Sequence, residues 1–217
     1  MKKDKFLILR RELVERYIKG RIQDEKVIDA FLKVPRDFFV PEEYKIHAYE
    51  DRPLPIGRGQ TISQPYIVAL MTELLELKGS ERILEIGGGS GYQAAILAEI
   101  LKEGEVYSIE YDGVLAEELQ KRMRKLGIDN VYIKDGDGYY GWEEYSPYER
   151  IIITCATPHI PEPLIQQLKI GGIVVAPVGR SVFGQDLIKA IKKEDGKLFY
   201  ENYGGCVFVP MRGRVEE

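Results

Sequence analysis

Cysteine and histidine are scarce in this chain of 217 residues, which has two of each. Cys155 and Cys206 stand far apart, which excludes a disulfide framework and fits a reducing, cytoplasmic setting. His47 and His159 are too few for a histidine-rich site, and no metal is expected. A basic excess is missing too. The formal net charge is −4, so a nucleic acid is not the expected partner. Residues 1–5 are basic, but the apolar run that follows, residues 6–9, is too short for the core of a secretion signal. Nowhere does an apolar stretch approach the length of a membrane span, so no membrane partner is expected either. Internal repeats and low-complexity segments are likewise absent.

What is present suffices for one well-filled core, with 44% hydrophobic residues. The chain reads as one domain over 1–217, with a helical and loop region over 1–79 and an α/β core over 80–217. Phe6, Leu9, Leu13, Tyr17 and Ile18 recur at helical spacing, as do Val27, Ile28, Phe31 and Leu32. Asp24 can cap the second of these helices, and Val34-Pro35 ends it. Residues 48–64 are rich in glycine, proline and polar side chains and read as a long loop of functional type. A third helix is expected from about Pro65, with Ile67, Val68, Met71, Leu74 and Leu75 on one face.

Beyond residue 80 the pattern changes. Short apolar strands at 82–86, 105–110, 131–134 and 150–154 alternate with helical stretches at 92–101 and 112–126. Unbroken apolar strands between amphipathic helices indicate a parallel sheet covered on both faces, a doubly wound, Rossmann-like α/β fold. A short helix after Pro161 leads to a strand over 173–178. Residues 186–210 read as antiparallel edge strands, with Asp195-Gly196 as a type I′ hairpin turn.

In such sheets ligands bind beyond the carboxyl ends of the strands. Four turns are expected to meet there, at 85–91, 110–112, 135–138 and 154–159. The first is Glu-x-Gly-x-Gly-x-Gly over Glu85, Gly87, Gly89 and Gly91. A dinucleotide fingerprint would need a glycine where Tyr92 stands, so that reading fails. Glu110 ends the second strand, where a carboxylate can accept both ribose hydroxyls. Asp137 ends the third strand and can accept from an exocyclic amino group such as adenine's. Acidic groups around a glycine loop, with no phosphate-binding lysine, suit a nucleoside whose tail is not a phosphate. Each residue alone has a plainer role: a solvated strand end for Glu85, a neighbour of a helix N-cap for Glu110, a turn residue for Asp137. Ser63, two residues before Pro65, is by position a helix N-cap. Cys155 has no nearby base and reads as a small buried residue, and His159 as a loop residue.

The stretch LEIGGGSGY at 84–92 resembles motif I of the class I S-adenosylmethionine methyltransferases. PLPIGRGQTISQP at 53–65 resembles the more specific signature of the protein-L-isoaspartate (D-aspartate) O-methyltransferase family. Collinear matches follow at VPRDFFVP (34–41), Gly136-Asp137-Gly138, IIITCATPHIPEPL (151–164), 168–179 and VFVP (207–210), covering nearly the whole chain. Gly88 departs from the family, where threonine is commoner, and glycine there is expected to loosen the loop slightly. Asp51 matches a family position to which the residues themselves assign no role.

The resemblance implies S-adenosylmethionine as methyl donor, with Glu85, Gly87, Gly88, Gly89, Ser90 and Gly91 around its methionine end. It places Glu110 on the ribose, and Asp137 with Gly138 on the adenine. It implies Gln60, Thr61, Ile62, Ser63, Val207 and Phe208 on the substrate side, with Ser63 as the active-site residue. The partners so implied are age-damaged proteins and peptides carrying L-isoaspartyl or D-aspartyl residues, and the chain would act as a monomer. The α-carboxylate of such a residue is already ionised at neutral pH, so the reaction needs orientation rather than a general base. That agrees with the scarcity of histidine and the lack of a triad. Two other readings stay open on the residues alone. A small-molecule or nucleic-acid methyltransferase could share this fold, although an Asn-Pro-Pro-Tyr-type motif and a basic stripe are both missing. A non-catalytic cofactor sensor could share it as well.

Overall fold

The computed structural model describes residues 2–179 and 184–216. Helix α1 (Lys2–Leu13) widens into a π-turn at Val14–Ile18. Helix α2 (Glu25–Lys33) starts where the Asp24 carboxylate accepts from the Lys26 N–H, and it ends at Val34 ahead of Pro35. Both match the expected signals.

The segment 48–64 is not a structureless loop. It folds into a hairpin of β1 (Leu54–Gly57) and β2 (Gln60–Ile62), turned by Arg58 and Gly59 at φ of +54° and +73°. Its base is fixed from two sides. Arg36, fully buried, donates from Nε to the Ala48 carbonyl at 2.8 Å and from Nη2 to the Arg52 carbonyl at 3.3 Å. Asp51 accepts from the Tyr66 N–H and from the Gln64 amide, each at 2.9 Å. Asp51 thus satisfies a free N–H in the first turn of α3 (Pro65–Leu74). Ser63 is not the N-cap. Gln64 occupies that position without a side-chain cap, because Asp51 has taken the role across fifteen residues.

The core strands are β3 (Arg82–Ile86), β4 (Glu105–Glu110), β5 (Val131–Asp135), β6 (Tyr148–Ile153), β7 (Leu168–Val178), β8 (Gln185–Lys192) and β9 (Leu198–Cys206). They form one sheet in the order β5-β4-β3-β6-β7-β8-β9. The first five pair in parallel, and β8 and β9 add antiparallel at the edge, as the sequence pattern indicates. Helices α4 (Tyr92–Ile100), α5 (Gly113–Leu126) and α6 (Glu162–Gln167) make the crossovers. Alternate residues face opposite ways. Ile83, Val106, Ile152 and Val175 join the core shared with the N-terminal helices. Leu84, Ile86, Ile109, Ile151 and Val174 join a second core with Leu164 of α6 and Tyr148.

The β8–β9 connection differs from the expected turn. Only Gly196 takes positive φ, at +81°; the Gly196 N–H donates to the Lys193 carbonyl and the Lys193 N–H to the Lys197 carbonyl. This is a turn closed by a glycine bulge rather than a type I′ turn. Strand order reverses at β3, which lies between β4 and β6, so the carboxyl ends of these three strands open onto one crevice.

Candidate functional site

At the end of β3 the chain must turn back sharply into α4. Gly87, Gly89 and Gly91 take φ of +92°, +50° and +87°, a region closed to most side chains. The N–H groups of Gly87 and Gly88 donate to the Ile109 carbonyl, which folds the loop over the end of β4. A Cβ on Gly87 would lie 2.8 Å from Thr154 Oγ, and one on Gly138 would lie 2.4 Å from Ile86 Cγ2. These contacts keep the crevice floor bare backbone.

Glu110 is 7% exposed and braces this floor. One carboxylate oxygen accepts from the Gly89 N–H at 2.7 Å and the other from the Asp112 N–H at 2.9 Å. Each oxygen keeps a lone pair for a ligand hydroxyl. Around it lies a cleft lined by Gln60, Thr61, Gly87, Gly89, Glu110, Tyr111, Gly138, Thr154, Cys155 and residues 209–212. Arg212 is the one cation among these, over the Tyr111 ring and 3.6 Å from Asp112. Arg58, at the hairpin tip, pairs with the same Asp112 oxygen. The hairpin and the C-terminal segment are therefore latched to one carboxylate at the rim, and Arg58 beside Asp112 holds that carboxyl below its usual range.

Two further clefts adjoin this one. An inner pocket is bounded by Thr61, Ile62, Ser63, Gly88, Ser90, Gln93, Thr154 and Phe208. An outer cleft is bounded by Pro53, Thr61, Ser63, Ile67, Thr154 and residues 205–209. Among the described residues the Ser63 and Thr61 hydroxyls have no hydrogen-bond partner, so both are free to meet a ligand. Val207 is 87% exposed at the mouth of the outer cleft.

Most of the predicted site residues converge here, and three do not. Glu85 is wholly buried beneath the loop and lines none of these clefts. Its carboxyl takes the Ser108 hydroxyl on one oxygen and has no partner on the other, and burial pushes its pKa up to about 8. Gly91 is spent on the left-handed entry to α4, packed against Leu119 and Met123. Asp137 does not line these clefts; one oxygen accepts from the Tyr139 N–H and the other from the Arg214 N–H, each at 2.9 Å. It ties down the C-terminal segment, while Gly138 beside it faces the cleft. Tyr111 and Thr154 fall in turns that the sequence places at this edge without giving them a role, and residues 209–212 were not expected to line the cleft. Thr154 ends an isoleucine run and reads there as a β-branched strand residue. Cys155 is buried as expected, yet it also lines the cleft, and burial raises its thiol pKa far above the ordinary range.

Gly88 overturns the expectation of a looser loop. A Cβ there would lie 2.5 Å from Ser108 Oγ and 2.6 Å from Leu119 Cδ1, so the space is already filled. Gly88→Thr, although it installs the side chain commoner in the resembled family, is expected to lower stability by about 1–3 kcal/mol through overpacking. Urea unfolding checks this, and a stability gain would refute it.

These residues fit a nucleoside with a cationic, non-phosphate tail. Bare glycine backbone makes the cradle, Glu110 offers two acceptor oxygens, and no lysine lines the cleft. Among the described residues no group of three or more His, Cys, Asp or Glu could hold a metal ion, and no helix is long and apolar enough to cross a membrane.

Comparison with known proteins gives a consistent picture. The family model described as protein-L-isoaspartate(D-aspartate) O-methyltransferase matches residues 9–216. The chain is 57% identical over 209 residues to the protein-L-isoaspartate O-methyltransferase of Dictyoglomus turgidum, covering 96% of this chain and 93% of the relative. It is 48% identical over 194 residues to that of Pyrococcus horikoshii, covering 89% and 88%. A solved protein-L-isoaspartate O-methyltransferase superposes with a TM-score of 0.88 at 34% identity, over 95% of this chain and 67% of that one. Another, from Plasmodium falciparum in complex with S-adenosyl-L-homocysteine, gives 0.81 at 26% identity over 95% and 98%. On the match along nearly its whole length, the chain belongs to the protein-L-isoaspartate(D-aspartate) O-methyltransferase family.

Proposed function

We propose that this enzyme transfers the methyl group of S-adenosylmethionine to the free α-carboxylate of L-isoaspartyl residues, and of D-aspartyl ones, in damaged proteins. The ester then closes without enzyme to a succinimide, which can reopen as normal aspartate. When bound, S-adenosylmethionine supplies a methyl on a positive sulfur, which departs as a neutral thioether once the carboxylate oxygen has taken the methyl.

The chain's own residues divide the remaining work. Gly87 and Gly89 give the donor close backbone approach, Gly88 and Ser90 border the inner pocket, and Glu110 accepts the ribose hydroxyls. Gly138 presents backbone toward the adenine, and Asp137 beside it holds the C-terminal wall while each of its oxygens keeps a lone pair for the adenine amino group. Val207 and Phe208, with Gln60, Thr61 and Ile62 from the hairpin, border the acceptor side. Ser63 donates to the carboxylate and aims it; the carboxylate is itself the nucleophile, so the enzyme needs to supply neither a nucleophile nor a general base.

One observation carries this reading. The donor cleft and the acceptor cleft meet at the Thr61–Ser63 strand end, where both hydroxyls are unengaged. The test is methyl transfer from labelled donor to an isoaspartyl peptide and to its aspartyl twin, with base-labile label expected only on the first. Ser63→Ala is expected to cut kcat/KM by roughly 10- to 150-fold, the worth of a hydrogen bond to a charged group. Its melting temperature should stay unchanged, because Asp51 rather than Ser63 caps α3. A drop in melting temperature with activity intact would return Ser63 to a structural role.

We also read residues 1–217 as a single catalytic domain, with 1–79 as the helical and substrate-loop region and 80–217 as the cofactor-binding α/β core. The packing of Phe31 and Phe39 on Tyr92, with ring centroids 5.9 and 5.5 Å apart, supports that unity. Two free cysteines support a reducing, cytoplasmic setting.

A further inference from the structure

Thr61 and Thr154 line all three adjoining clefts, so the donor and acceptor compartments meet between them. The two threonines are chemically unlike. Thr61 stands beside Ser63 on the hairpin side, and neither hydroxyl is engaged within the chain. Thr154 stands at the end of β6, and its hydroxyl is spent. The Ile86 carbonyl already accepts the Thr154 N–H at 2.9 Å. Thr154 Oγ lies 2.6 Å from the Gly87 carbonyl oxygen and 2.9 Å from that of Ile86. Carbonyl oxygens cannot donate, so the single hydroxyl proton is committed to the loop. The oxygen left at the junction is an acceptor only.

The junction is therefore polarised, with donors on the hairpin side and a bare acceptor on the β6 side. A carboxylate is drawn to the donors and repelled by the acceptor. A methyl on a positive sulfur has the opposite preference, because its C–H bonds carry positive charge. We propose that Thr154 is a donor-contacting residue that recognises the methyl-bearing sulfonium through a C–H···O contact and so sets the methyl between itself and Ser63. This rests on the cleft binding S-adenosylmethionine. It makes Thr154 a specificity element for the charged donor over its demethylated product.

Calorimetric titration of S-adenosylmethionine and of S-adenosylhomocysteine, each into wild type, Thr154→Val, Thr154→Ala and Thr154→Ser, tests this without turnover. Loss of the loop anchor weakens both ligands alike, and the field of the surrounding carboxylates, which these substitutions leave in place, drops out when each variant's ratio of dissociation constants is compared with that of the wild type. Thr154→Val and Thr154→Ala are each expected to shift that ratio against S-adenosylmethionine by roughly two- to fivefold, the worth of one such contact. Thr154→Ser is expected to restore it. If Val does not fold, Ala decides. Equal weakening of both ligands, or a ratio that Ser fails to restore, overturns the proposal while leaving the donor cleft intact. Failure of the wild type to bind either ligand overturns the reading of the cleft itself.

Discussion

Replacing Glu110 with alanine is expected to weaken both S-adenosylmethionine and S-adenosylhomocysteine by about 10²- to 10³-fold, more than any other single change at the cleft. The carboxylate does two things at once. It accepts the Gly89 and Asp112 N–H groups, at 2.7 and 2.9 Å, in a nearly closed environment. Removing it leaves both N–H groups without a partner, at a cost of about 1–3 kcal/mol for each that stays buried. It also removes the acceptor for the ribose, a charge-assisted contact worth roughly another 1.5–3 kcal/mol. Glu110→Gln is no rescue, because the amide NH₂ would face one of the two N–H groups. Asp112 is affected as well. It caps α5 through the Val114 and Leu115 N–H groups and anchors Arg58 and Arg212, so the rim loosens with the floor. Since the ribose is common to both ligands, calorimetry should show a large loss for each, whereas the Thr154 variants act chiefly on the ratio. A loss below about threefold would remove Glu110 from the ribose.

How much of this was legible in the sequence depended on the distance over which each signal acts. Strand β4 runs over Glu105–Glu110 as the pattern indicates, because its apolar Val106, Tyr107 and Ile109 are bracketed by turn signals at Gly104 and at Asp112-Gly113. Helix α5 is bracketed by Asp112 and a left-handed Gly127, both local caps with a local signature. The β1–β2 hairpin escaped because strands of four and three residues are too short to show a period. Its turn also places a positive φ on Arg58, a residue that seldom marks one.

The site residues show the same division. Gly87 and Gly138 declare themselves, since a turn or a close approach leaves glycine as the visible demand. Asp137 does not. What claims it is the Arg214 N–H, 77 residues away, and no local pattern encodes that. Asp51 likewise caps a helix that begins far along the chain. Glu85 illustrates a different limit, because an acidic residue at a strand end reads the same whether it faces a ligand or lies beneath one.

Buried without a charged partner, Glu85 should make the ligand-free protein lose stability as pH rises, and Glu85→Gln should abolish that loss. Desolvation is the main cause of its raised pKa, reinforced by the nearby Glu110 charge and only partly offset by the Ser108 hydroxyl. In the folded chain the group titrates near 8, whereas unfolded glutamate titrates near 4.3. Below the lower value both states hold the proton and the burial of a neutral acid costs little. Between the two values the folded state holds a proton that the unfolded state has released, so unfolding gains with every increment of pH. The slope approaches about 1.4 kcal/mol per pH unit and flattens above the upper value, where both states are ionised. Glutamine keeps the shape and an acceptor for Ser108 and has no proton to lose. Urea unfolding at pH 5, 6, 7 and 8 should therefore show the two stability curves diverging steadily, with the variant ahead by several kcal/mol at the top of the range. Parallel curves would mean that Glu85 is ionised in its pocket, with a cation or water reaching the oxygen that has no partner.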